Sequence, residues 1–135
     1  MKTCDVQSLV LHVSREQAFA FISDARCLPR WTNAFAAIEG DQALMRTPAG
    51  EVRVDLDVRA SSDSGSIDWF MTFPDGTRAS AYSRVVGLGP EHCVYTFVLT
   101  PPPVPLEQLE GTLEMQSGIL AGELRTLKDV LEHAR

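Results

Sequence analysis

The chain has 135 residues, enough for one domain that buries roughly two-thirds of its unfolded surface, and short for two. A hydrophobic share of 44% and a charged share of 22% are those of a soluble globular protein and argue against disorder or a membrane span. The net charge of −6, with no cluster of Lys and Arg, argues against a nucleic-acid partner, whose phosphates would need neutralising. We therefore expect a single domain over residues 1–135.

The first predicted element is a strand at Gln7 to Val13, where Leu9, Leu11 and Val13 share one face. Ser14 to Gln17 then reads as a capping box, with the serine hydroxyl capping a helix and Gln17 reaching back. That short helix buries Ala18, Phe21 and Ile22; Ser23 and Asp24 end it and can cap a second helical stretch, which Pro29 limits. Trp31 follows.

Successive hairpins come next. Phe35 to Glu39 and Gln42 to Thr47 flank Gly40-Asp41, a pair suited to a type II′ turn, and Pro48-Ala49-Gly50 gives the next reversal. In Glu51 to Arg59, Val52, Val54, Leu56 and Val58 face one way and Arg53, Asp55, Asp57 and Arg59 the other. That charged face should be solvated, pairing across strands with Arg78, Arg84 or Asp68. Ile67 to Phe73, Arg78 to Val86 and Cys93 to Thr100 complete the strands, with Pro74-Asp75-Gly76 as a turn. Inward positions are Ile67, Trp69, Met71 and Phe73, then Ala79, Ala81 and Ser83, then Tyr95, Phe97 and Leu99.

Pro101 to Pro103 ends the strand run as an extended segment, and Pro105 suits the first turn of a long helix reaching about His133. At about 100° per residue, Leu106, Leu109, Leu113, Leu120, Leu124, Leu127 and Leu131 form one stripe, interrupted at Gln116 and Ser117. The amide and hydroxyl need partners if buried. Either a ligand or water supplies them, or Ser117 bonds back to the Leu113 carbonyl and Gln116 slips to the helix edge. Gly111, Met115, Gly118 and Gly122 form an opposite stripe, suited to a symmetric partner subunit or to loop packing.

The element order is α+β, and certain residues in it carry a resemblance. Ser14-Arg-Glu-Gln-Ala-Phe-Ala-Phe-Ile-Ser-Asp24, Leu28-Pro29-Arg30-Trp31 and the terminal helix resemble the SRPBCC or START-like helix-grip superfamily, in particular its polyketide cyclase or dehydrase-like branch. The resemblance implies a curved antiparallel sheet of about seven strands gripping the C-terminal helix, with an apolar cavity between them. The superfamily includes lipid and hormone carriers, aromatic-polyketide cyclases, chaperone-stimulating domains and oxygenase catalytic domains, so fold alone does not choose a function.

The oxygenase branch would need a two-His-one-carboxylate iron site. His12, His92 and His133 look badly placed to converge, so neither a metal nor another cofactor is expected, and a Ser-His-Asp relay is disfavoured. Cys4, Cys27 and Cys93 are odd in number and scattered, which suggests neither disulfides nor zinc and fits a cytoplasmic protein. Asp5 within the alternating N-terminus is unlike a signal peptide.

The leading expectation is binding of a small hydrophobic, lipid-like or aromatic molecule by Ile67, Trp69, Met71, Phe73, Tyr95, Phe97, Leu113 and Leu120, with Gln116 and Ser117 fixing its polar end. Trp69 and Tyr95 would be amphipathic rings of the pocket, whereas Trp31 is expected to pack beneath the terminal helix. A solid core filled by the same residues is the bland alternative. The functional alternatives are a cyclase or dehydratase, with no catalytic residue assigned, and a protein-interaction module.

Overall fold

The computed structural model describes residues 4–47, 50–100 and 106–133, with side chains of the last segment described from 113 onward. Pro48, Ala49 and the prolines from Pro101 to Pro105 lie outside it, as do the side chains of Leu106 and Leu109 and the surroundings of Gly111.

The chain begins with β1 (Asp5–Leu11), whose inward positions start polar and end apolar. Ser14 caps α1 (Arg15–Ile22), its Oγ accepting the Gln17 N–H at 3.1 Å; among the described residues only this half of the capping box forms. Ala18 and Ile22 are fully buried and Phe21 half-buried. Asp24 caps a 3₁₀ turn, Ala25–Cys27, by accepting the Arg26 N–H, and the Arg26 guanidinium pulls its carboxyl below the usual aspartate range. The expected role of Pro29 is reversed. It lies in the first turn of α2 (Leu28–Trp31), where a missing N–H costs nothing, so it starts this helix and Trp31 belongs to it.

The strands are β2 (Phe35–Glu39), β3 (Gln42–Thr47), β4 (Gly50–Ser61), β5 (Ser66–Thr72), β6 (Arg78–Gly87) and β7 (Cys93–Leu99). They form one antiparallel seven-stranded sheet in the order β1-β7-β6-β5-β4-β3-β2. Each of β2 to β7 pairs with its chain neighbour through a local reversal. Glu39 pairs with Gln42, so Gly40-Asp41 is a two-residue turn, with Gly40 at φ 64°. Because β1 and β2 occupy opposite edges, the segment carrying α1 and α2 crosses the width of the sheet.

The long helix α3 (Leu106–Glu132) packs against β1 and α2. Leu113, Leu120, Leu124, Leu127 and Leu131 are buried, and the last four join a single core cluster with Trp31, Val54, Ile67, Trp69, Tyr95 and Phe97. Sheet alternation places the large inward residues opposite small ones: Trp69 pairs with Ala81, and Met71 with Ala79. This mismatch of size keeps the sheet from filling its own inner face.

The outer face is wet, but its pairing differs from expectation. Arg53 bonds Glu39 at 3.0 Å, Arg59 bonds Asp57 on its own strand at 2.9 Å, and Arg84 Nε donates to the Ser64 carbonyl at 2.8 Å. Arg59 stands opposite Asp68 in register yet lies over the Phe70 ring, 4.7 Å from its centroid. Such exposed pairs add little stability.

Gly65 is required where the β4–β5 loop crosses β6. It holds φ 78°, its carbonyl accepts the Val85 N–H at 2.9 Å, and a Cβ there would collide with the Val85 carbonyl.

Candidate functional site

Between the inner face of the sheet and the first described turns of α3 lies a cavity of about 370 Å³. At about 30 Å³ each, that is the share of roughly a dozen liquid waters. Its apolar wall comes from Leu28 and Trp31 of α2, Phe35, Met45, Trp69, Met71, Phe73, Ala79, Ala81, Phe97 and Leu99 of the sheet region, and Met115, Ile119 and Leu120 of α3. Thr32, Asn33, Arg46, Thr47, Ser80, Thr100, Gln116 and Glu123 are its polar members.

Trp69, Met71, Phe73, Phe97, Gln116 and Leu120 of the expected binding set therefore line this cavity, and Ile67, Tyr95, Leu113 and Ser117 do not. The reason is position along the strands. Ile67 and Tyr95 pair with Ser83 and Val85, toward the opposite end of β6 from the lining residues Ala79 and Ala81, where the core is filled. Tyr95 is 0% exposed, set edge-on to Trp31 with ring centroids 6.5 Å apart, and burial pushes its phenol far above the usual tyrosine range. Ser83 lies close enough to offset a little of that rise, yet its hydroxyl donates to the Ile67 carbonyl at 2.7 Å and makes no hydrogen bond with Tyr95 Oη. Trp31 both packs in the core and reaches the cavity wall.

Ser117 takes neither expected course. Its hydroxyl donates to Asp5 Oδ2 at 2.6 Å, while Gln7 Nε2 donates to Asp5 Oδ2, to the Ser117 carbonyl and to Ser117 Oγ at 2.7, 2.9 and 3.1 Å. The polar break in the leucine stripe is thus matched by the polar start of β1, with Asp5 only 6% exposed. Gln116, one residue earlier and about 100° around the helix, turns to the cavity. Two adjacent polar residues on α3 serve different partners.

Glu123 was missed in the sequence, where it reads as an ordinary helix-surface charge. It lines the cavity, and its Oε2 accepts the backbone N–H groups of Asn33 at 2.5 Å and Ala34 at 3.3 Å. On the other side Arg46 Nη1 donates to the Asn33 carbonyl at 3.0 Å and the Arg46 N–H to the Ala34 carbonyl at 2.7 Å. The cavity's lip, Thr32 to Ala34, is thus fastened to both α3 and β3. Only the i, i+7 relation of Glu123 to Gln116, which puts both on one face, signalled it in advance.

Burial raises the Glu123 carboxyl above the usual glutamate range, and the two backbone N–H bonds offset part of that rise. A raised folded-state value contributes stability that is fully present below the unfolded value near 4.5 and lost as pH rises through the folded value. The stability of the wild type relative to Glu123→Gln should therefore be highest at acidic pH and fall on raising pH toward neutrality. Urea midpoints of both proteins at several pH values measure this, and a difference that does not change, or that grows with pH, would contradict it.

The histidines require a correction. His12 and His92 do converge, with ring centroids 4.8 Å apart and edge-to-face, in a separate groove with Ser14, Gln17, Glu91 and Glu132. The β6–β7 turn folds back beside the end of β1, which the linear spacing hides. His133 stays apart, its Nδ1 2.9 Å from the Asp129 carbonyl. Among the described residues, no group of three His, Cys, Asp or Glu side chains is arranged to hold a metal ion.

No protein-family model matches the sequence, and no curated protein matches it either. Solved structures do match. A START superfamily protein from Mycobacterium smegmatis aligns with 99% of this chain and 100% of its own at a TM-score of 0.72 and 14% identity. XoxI from Bacillus cereus aligns over 98% and 97% at 0.71 and 16%. The Zhui aromatase/cyclase from Streptomyces sp. R1128 aligns over 96% and 93% at 0.67 and 11%. The chain thus has the START-like helix-grip fold, shared with polyketide aromatase/cyclases. At these identities the likeness is one of fold.

Proposed function

We propose that the protein binds a small hydrophobic or aromatic molecule in the cavity between the sheet and α3. The observation that carries this reading is the cavity itself: about 370 Å³ walled mostly by apolar side chains, with a few polar groups that can orient a ligand. Trp69, Met71, Phe73, Phe97, Leu120 and Gln116 make the contacts, while Tyr95 packs edge-on against the wall residues Trp31 and Phe97. Trp31 and Trp69 both line the cavity, so their fluorescence reports occupancy. Native mass spectrometry of the purified protein, joined to quenching of that fluorescence by naphthalene derivatives, tests the reading. A ligand-free spectrum together with unquenched tryptophans would overturn it.

Glu123 favours a second reading, a cyclase or dehydratase. A carboxyl group held above its usual range at the wall of an apolar cavity is a candidate for moving protons. Three unpaired, scattered cysteines support a cytoplasmic setting.

The helix stripe supports association of two copies through Gly111, Met115, Gly118 and Gly122. Nothing comes within 4 Å of a Cβ built on Gly118, and Met115 is 57% exposed while also bordering the cavity. Gly118→Leu should then shift sedimentation toward monomer. If instead the stripe is only solvated, Gly118→Ala should raise stability by about 1 kcal/mol without altering assembly. A wild type that sediments as a monomer at high concentration ends the association proposal.

A further inference from the structure

The cavity carries a chemical preference, which rests on the binding reading above and sharpens it. Among the described residues, Glu123 and Arg46 are the only charged side chains in the cavity lining, and they are not equivalent. Arg46 Nη1 is engaged with the Asn33 carbonyl. Glu123 has no ion pair within 4.0 Å among the described residues, and both of its hydrogen bonds fall on one oxygen, Oε2. The Asn33 and Ala34 N–H groups thereby hold the carboxylate in place and leave Oε1 without a hydrogen-bond partner among the described residues.

Water can hydrate Oε1 while no ligand is bound, but a ligand that displaces this water without supplying a donor loses that hydrogen bond. We infer that Glu123 is the specificity-determining residue of the cavity and that its ligand is an apolar molecule bearing a hydroxyl, which donates to Glu123 Oε1. A ligand of the same shape without a donor leaves Oε1 unpaired. A ligand carboxylate meets like charge. Hydrogen bonds to charged groups are strong enough that the hydroxyl should improve affinity about ten- to hundredfold.

Three probes of common ring shape separate these cases: 2-naphthol, 2-methoxynaphthalene and 2-naphthoate, titrated at neutral pH against tryptophan fluorescence. In the wild type, 2-naphthol should bind at least about tenfold tighter than 2-methoxynaphthalene, with 2-naphthoate weakest. Glu123→Gln keeps a carbonyl oxygen for the Asn33 and Ala34 N–H groups, so the lip stays fastened, but it offers an NH₂ donor in place of Oε1. This variant should lose most of the preference for 2-naphthol and bind 2-naphthoate more tightly than the wild type does. Thermal melting checks that it remains folded. If 2-naphthol and 2-methoxynaphthalene bind the wild type equally, or the Gln variant keeps the full preference, Glu123 does not set specificity although the cavity still binds. If none of the three binds, both the preference and the binding reading fall.

Discussion

Leu127→Asp should leave the chain without a cooperative unfolding transition at 25 °C. Leu127 is 0% exposed and sits where α3 closes on the one core cluster. Loss of a buried leucine side chain costs about 2–5 kcal/mol, and an unpaired carboxylate in the same place costs several more. A domain of this size has only about 5–15 kcal/mol in total. The conservative companion, Leu127→Ala, should remain folded with its urea midpoint lowered by the first term alone. Circular dichroism and urea titration read both, and a Leu127→Asp protein melting within a few degrees of the wild type would mean that α3 does not seal the core there. Leu120→Asp, on the same stripe, should be milder. Leu120 borders the cavity, where a new carboxylate can be hydrated.

Ala81→Phe should abolish ligand binding without unfolding the protein. Ala81 stands between Trp69 on β5 and Leu99 on β7, and all three line the cavity. In a close-packed core an added ring costs about 1–3 kcal/mol because neighbours must shift. Here the ring has a void to enter, so the melting temperature should hold or rise while affinity for naphthalene probes falls at least about tenfold. A variant that binds as tightly as the wild type would place the ligand elsewhere. Val86→Phe, at an exposed position on the same strand, controls for the substitution itself.

The strands and the leucine stripe were legible because they follow from local chemistry. Val52, Val54, Leu56 and Val58 alternate with charges, and a strand sends successive side chains to opposite faces wherever it lies. Leu120, Leu124, Leu127 and Leu131 lie on one arc of any helix they occupy. The two short helices were less legible at Pro29, because the same missing N–H that ends a helix also suits its first turn. The cross-strand charge pairs failed for a different reason. Exposed side chains choose among nearby partners by tenths of a kcal/mol, a choice that register alone does not make.

Residue pattern by itself therefore determined which faces are buried, that the elements segregate into a sheet and a terminal helix, and that Gln116 and Ser117 break the helix's apolar stripe. Only the tertiary structure decided what each of those two side chains meets. Ser117 lies beside Asp5 and Gln7, more than a hundred residues away in the chain, while Gln116 turns into the cavity. It likewise brought His12 against His92, and turned Glu123 from a surface charge into the carboxylate of a cavity wall. The physical reason is the same in each case. Periodicity tells which side of an element faces inward, but a polar side chain's partner depends on which distant backbone passes within about 3 Å of it, and that is set by how the sheet and helices pack.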